Sequence, residues 1–216
     1  MKLNKLYTYP GMILYYFFLL LGILILFQFN KGEGIIWLNE SGNSISDIFF
    51  KYWTYLGDGL VFLIVLVFFV FRSYFYFFIT ISSIIIQTIF VQGLKRYVFQ
   101  DLVRPKLFIE NFMDLRQVEG VEIHSQHTFP SGHTATAFTI ALILSLYVKN
   151  KSWTVVFMLA AILVGISRMY LLQHFFVDIY FGSVFGVLSV ILSFYLIGNS
   201  EYLKRRLSEK SKLTGR

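Results

Sequence analysis

The sequence predicts an all-α protein, a bundle of six transmembrane helices with both termini on the cytoplasmic side. Three observations carry that prediction. The chain of 216 residues is 56% hydrophobic and only 14% charged, against the roughly 25% charged residues of an ordinary soluble domain. Its apolar residues fall into six continuous runs rather than alternating with polar ones, which selects helices over the strands of a barrel. Its basic residues, finally, are distributed unevenly between the connections.

The runs are Met12–Phe29, Trp53–Phe71, Tyr74–Gly93, Thr134–Val148, Trp153–Met169 and Phe175–Ile197. A helix crosses the hydrocarbon with roughly 20 residues. Four runs meet that length comfortably. The second carries Asp58, and the fourth is short unless it begins at His133. The first is too long for a signal peptide, and Gln28-Phe29-Asn30-Lys31 offers no small-residue cleavage site. Short turns at Arg72-Ser73 and Lys149–Ser152 make neighbouring spans antiparallel. Two connections, Asn30–Tyr52 and Lys95–Phe129, are longer and polar, as functional loops often are. No repeat or low-complexity linker divides the chain, so a single domain over 1–216 is expected.

The net charge is +7. With the N-terminus placed inside, the cytoplasmic side holds eleven basic and two acidic residues, and the outer side eight basic and ten acidic. That is the positive-inside pattern. It accounts for the basic tail Lys204–Arg216 as a topology signal and anionic-lipid contact, with no nucleic-acid partner. There is no cysteine, hence no thiolate or disulfide chemistry. The 25 Phe, 14 Tyr and 3 Trp are ordinary for lipid-facing and interfacial surfaces.

Three stretches place ionisable residues at or beside membrane depth, where they are costly and by default functional. Gly93-Leu94-Lys95-Arg96 closes the third span and precedes Arg104-Pro105-Lys106. Pro130-Ser131-Gly132-His133 opens the fourth. Ser167-Arg168 and His174-x3-Asp178 join the fifth to the sixth. Counting hairpins puts all three at one membrane face, the outer one. Lys95, Arg104 and Arg168 are cations suited to surrounding one anion, the arginines through a planar fork and the lysine as a point charge. Ser131 offers a hydroxyl, Gly132 permits close backbone approach, and a helix start supplies amides and a dipole. The anion expected is a phosphate. His174 and Asp178, four apart, share a helix face. Asp178 can take the Nδ1 proton of His174 and leave Nε2 free to attack phosphorus. His133 is the candidate acid and base.

Each residue alone has a plainer reading. Arg104 or Lys106 alone is a solvated loop charge, Lys95 a snorkelling lysine, Ser-Gly-His a cap, His174 an interfacial histidine, and Asp178 a partner for Arg168. His124 and His127 have metal-like spacing, but no cysteine or grouped carboxylate completes a ligand set, so no metal and no cofactor are expected. Asp58, between Gly57 and Gly59, reads as a helix start, and Glu119 and Glu122 as solvated charges.

At these three stretches the chain resembles the type-2 phosphatidic acid phosphatase family, whose motifs read Lys-x6-Arg-Pro, Pro-Ser-Gly-His and Ser-Arg-x5-His-x3-Asp. Pro130–His133 and Ser167–Asp178 match in full. The likeness covers residues 95–178. It implies a metal-independent lipid phosphatase working through a phosphohistidine, with His174 as nucleophile, Asp178 orienting it, His133 as acid–base, and Arg104, Ser131, Gly132 and Arg168 on phosphate. The first motif departs from the pattern. Eight residues rather than six separate Lys95 from Arg104, the family register falls on Tyr97, and Arg96 rivals Lys95 about 100° away on a helix. The loop Arg104–Glu122 resembles bacterial members that include lipid A phosphatase-like proteins. The expected setting is the bacterial inner membrane, with the site facing outward and a lipid phosphate entering from the bilayer. Undecaprenyl pyrophosphate, phosphatidylglycerol phosphate, phosphatidate and lipid A are the implied candidates. No obligate protein partner is evident. A transporter or flippase would place its charges near the midplane. A mere lipid-phosphate binder would need cations but not the His–Asp relay.

Overall fold

The computed structural model describes residues 3–110 and 112–198. Lys2 and the basic tail Lys204–Arg216, both used in the charge count, lie outside them. Among the described residues every regular element is helical.

Helix α1 (Pro10–Gln28) starts on a proline, whose missing N–H and fixed φ suit a first turn. The connection Asn30–Tyr52, expected as a loop, instead folds into α2 (Glu33–Glu40) and α3 (Ser44–Trp53). The signal lay in Asn43, whose side chain accepts from the Ile45 and Ser46 amides while Ser46 reaches back to the Asn43 amide, a capping box. The second apolar run is not one straight helix. A 3-10 turn, Thr54–Gly57, leads into α4 (Gly59–Arg72), and the two segments bend by 52°. Asp58 caps α4 by accepting from the Leu60 amide, as the sequence suggested. The sequence marked the helix start at Asp58 but not the angle, because hydropathy reports environment and not backbone direction.

Ser73 caps α5 (Tyr74–Gly93), which runs on through a single π-helical turn, Leu94–Val98. Irregular chain follows, broken by the short α6 (Pro105–Phe108). The last three helices are α7 (Gly132–Tyr147), α8 (Trp153–Tyr170) and α9 (Phe176–Gly198). Four helices are long and apolar enough to cross a membrane, or five with the bent pair as one span. Helix α7, with sixteen residues, is apolar but shorter than these.

Helix α7 is the hub. Twelve of its sixteen residues are buried, because α5, α8 and α9 all pack on it. Its approach to α9 depends on Gly182, where a Cβ would lie 2.7 Å from the Ser131 carbonyl. Small residues permit such contact where lipid supplies no hydrophobic drive. Hydroxyls add interhelical bonds: Ser83 to Ser193 at 3.0 Å joins α5 to α9, and Thr139 to the Gly186 carbonyl at 3.1 Å joins α7 to α9. Each contributes ~0.6 kcal/mol on average. On the face carrying the site, Arg116 forks onto Asp47 with Nη1 at 2.8 Å, and Asn39 pairs reciprocally with the Arg116 backbone. Lys51 donates to the Glu119 carbonyl. The long loop after α5 is thereby fastened to α2 and α3, and its Arg104 and Thr128 are held over the helix ends.

Candidate active site

The site forms where the π turn after α5, the loop Phe99–Phe129, the start of α7 and the α8–α9 turn meet. Ser131 caps α7: its Oγ accepts from the Thr134 amide and hydroxyl, and its own amide donates to the Asp178 carbonyl at 3.0 Å. In this cap the Ser131 oxygen only accepts, which leaves its own O–H free to donate to a phosphate, and the start of α7 is pinned to the start of α9. A Cβ on Gly132 would meet only Val91 Cγ1, at 3.8 Å, so space lies before its amide.

Arg168 lies in the last turn of α8, and its carbonyl accepts from the amides of both Gln173 and His174. This tight turn puts Leu172 at φ 57°, a left-handed conformation rare for a branched residue. The turn returns His174 to Asp178. Asp178 Oδ2 lies 3.3 Å from His174 Nδ1 and accepts from the Phe175 amide at 2.9 Å. It also takes the hydroxyl of Thr128, which lies 3.4 Å from His174 Nδ1. His174 is 2% exposed. Burial, and then Arg168, Arg104, Lys95 and His133, hold it well below its usual 6.5. A neutral imidazole with a carboxylate at Nδ1 is protonated there and keeps Nε2 as a base.

The two arginines are held differently. Arg104 donates from Nε to the Gln126 carbonyl at 2.8 Å and from Nη1 to Gln173 Oε1 at 3.0 Å. Burial pushes its guanidinium below the usual range, and Asp178 opposes the shift. Arg168 donates Nη1 to Thr54 Oγ1 at 3.1 Å, but its buried Nε has no hydrogen-bond partner among the described residues. A buried donor of that kind requires an explanation, and a bound oxyanion supplies one.

The three residues that compete for the first motif differ in burial. Tyr97 is 84% exposed and Arg96 is also exposed, whereas Lys95 is half-buried. Lys95 interacts electrostatically with Arg104, Asp178 and Arg168. The π turn, closed by the Phe99 amide on the Leu94 carbonyl at 2.8 Å, inserts extra chain beyond Lys95 and absorbs the longer spacing.

His133 lines a cavity of about 490 Å³ between α4, α5 and α7, together with Asp58. The bend before α4 presses on it: a Cβ at Gly57 would lie 2.6 Å from the His133 carbonyl. His124 is exposed, 3.8 Å from Glu122. His127, also exposed, precedes Thr128. Lys106, Glu119 and Glu122 side chains are exposed. Sequence reasoning missed Thr128, Thr54 and Gln173. A lone threonine or glutamine gives no signal of its own, and each gains its place through a partner 46 to 114 residues away.

The sequence profile of the PAP2 superfamily matches residues 76–202, more than half the chain. The fold is similar to LpxE of Aquifex aeolicus, at 29% identity and a TM-score of 0.68 over 78% of this chain and 97% of that one. It is also similar to the PAP2 type phosphatidylglycerolphosphate phosphatase of Bacillus subtilis. That match has 23% identity and a TM-score of 0.59 over 89% of this chain and 98% of that one, a likeness of fold. A curated relative, the bacitracin transport permease protein BcrC of Bacillus licheniformis, is 30% identical over 96 residues, 44% of this chain and 46% of BcrC. The chain therefore spans under half the length of that relative. The three motifs, the all-helical bundle and the profile agree: the chain belongs to the PAP2 superfamily, as a multi-pass helical membrane protein.

Proposed function

We propose that this protein is a metal-independent phosphatase of a membrane lipid phosphate or pyrophosphate, acting through a phosphohistidine. The observation that carries this reading is the meeting of a buried, neutral His174 with the unpartnered Nε of Arg168, beside Lys95 and Arg104. Three cations around one nucleophile suit an anion that accepts electrons at phosphorus and spreads charge over its equatorial oxygens.

In the first step His174 Nε2 attacks phosphorus and the P–O bond to the lipid breaks. His133, in its protonated form, gives its proton to the departing oxygen. Asp178, fixed by Thr128 and the Phe175 amide, stabilises the imidazolium-like state at Nδ1. In the second step His133 takes a proton from water, whose oxygen attacks phosphorus as the P–N bond breaks. Phosphate is released and His174 returns to its starting state. Lys95, Arg104, Arg168, the Ser131 hydroxyl and the Gly132 amide hold the oxygens, and the cap at Ser131 fixes that amide in place.

The same reading makes the chain one domain of six spans, counting the bent Ser44–Arg72 segment and α7. Both termini lie in the cytoplasm, and the site opens at the outer face of a bacterial inner membrane. The positive-inside count and the common end shared by the three motifs support that orientation. The substrate enters from the bilayer. The test is phosphate release in detergent from phosphatidate, phosphatidylglycerol phosphate, undecaprenyl pyrophosphate and lipid A, with and without EDTA. Release that survives chelation, with an acid-labile phosphoprotein lost in His174→Ala, is expected. Loss with EDTA and recovery with a divalent ion would return attention to His124 and His127.

A further inference from the structure

The cavity beside His133 has two unlike walls. Gln87, Thr88 and Gln92 of α5 and Thr136 of α7 place hydrogen-bonding groups on one side, among Ile84 and Val91, while Phe62 and Leu66 of α4 make the other side apolar. Polar side chains at membrane depth are costly and tend to serve function. Gln87 in particular is 5% exposed, sits six residues before the end of α5 at Gly93, and lines the cavity.

The position of this wall relative to the chemistry gives it meaning. In the reaction proposed above, on which this inference rests, the leaving oxygen departs opposite His174 and beside His133. Whatever that oxygen is attached to then occupies the cavity that starts at His133. Its first atoms meet Gln92, Thr88, Gln87 and Thr136 before reaching hydrocarbon. From Gln92 to Gln87 the helix advances about 7.5 Å. In a lipid acylated next to the phosphate-bearing carbon, the carbonyl lies about four bonds from the leaving oxygen, roughly 5 Å, which is within that strip. A prenyl chain offers only hydrocarbon there and would leave a buried amide without a partner.

The geometry points to a carbonyl-reading subsite, in which the Gln87, Thr88, Gln92 and Thr136 wall donates to the ester or amide carbonyls of an acylated lipid phosphate while α4 takes its hydrocarbon. Glycerolipid esters and N-acyl sugars share this chemistry.

The test compares purified full-length protein on dioleoyl phosphatidate, its dialkyl ether counterpart, a diacylated glucosamine 1-phosphate and farnesyl phosphate. The expected kcat/KM favours the diester over the diether by about tenfold, the worth of one satisfied buried polar group. Gln87→Leu brings that ratio to about one. If the acylated sugar exceeds phosphatidate, the reader serves an amide, and if phosphatidate leads, an ester. Equal turnover of diester, diether and prenyl substrates by the wild-type protein overturns the subsite, whether or not Gln87→Leu folds, and leaves the phosphatase reading standing. A ratio unmoved by Gln87→Leu, with Gln92→Leu and Thr88→Val also silent, overturns the wall as its source. No release from any substrate sinks both readings.

Discussion

The two halves of the bundle bury their helices to different degrees. The membrane-length stretches of α8 and α9 are 50% and 56% buried inside the protein, against 22% and 28% for α1 and α5. The first pair, with α7 wedged between them, carries His133, Arg168, His174 and Asp178. The second pair turns residues such as Leu20 and Ile89 outward, toward the surrounding lipid, and reaches the site at a few points only. A reacting group must be held to a fraction of an ångström, and a helix with neighbours on most sides has its rotation and depth fixed by packing. A helix facing lipid has less to fix it, so α5 delivers Lys95 from a π turn, and the bent α3–α4 segment delivers Thr54 to Arg168.

This contrast breaks if substitutions in the two halves cost the same. The largest effect belongs to His174→Ala, expected to lower kcat on a lipid phosphate by on the order of 10⁴ or more while the protein still inserts. Turnover near the wild-type rate would remove the nucleophile. Next is Arg168→Lys, which keeps the charge but loses the fork and the buried Nε. About 10² in kcat/KM is expected. Arg104→Lys should cost less, since Arg104 already spends its donors on Gln126 and Gln173, and the reverse order would refute that distinction. Thr128→Val removes one donor from Asp178 and should cost about tenfold in kcat, with Thr128→Ser restoring most of it. A change in KM alone would argue for a loop effect instead. On α5, Lys95→Ala should lower kcat/KM about tenfold, and Arg96→Ala, exposed on the same turn, should stay within about twofold. Ile89→Ala on the outward face should have the smallest effect of all.

Much of the site was legible because its constraints are local. A His and an Asp four apart share a helix face whatever surrounds them, and Ser-Gly-His before an apolar run starts a helix in most contexts. Asp58 read as a helix start for the same reason. Other features were not legible. The sequence marked a helix start at Asp58, but the angle between the two segments depends on how each packs. Helices α2 and α3 formed where polarity suggested loop, because the Asn43 cap and the Asp47–Arg116 pair outweigh it. The acceptance by Ser131 Oγ from Thr134 adds a cap on α7 to its expected place beside a phosphate.

The sequence by itself determined a helical membrane protein, the order of its three motifs, and the His174–Asp178 pair. Composition and spacing along one helix are properties of the chain alone. Tertiary structure decided the rest. It half-buried Lys95 and left Arg96 and Tyr97 exposed, gave Asp178 its Thr128 and Arg168 its Thr54, and set His133 at a cavity. Those relations join residues far apart in the chain. They depend on the relative rotation and depth of different helices, which small residues such as Gly57 and Gly182 set by allowing backbones to touch.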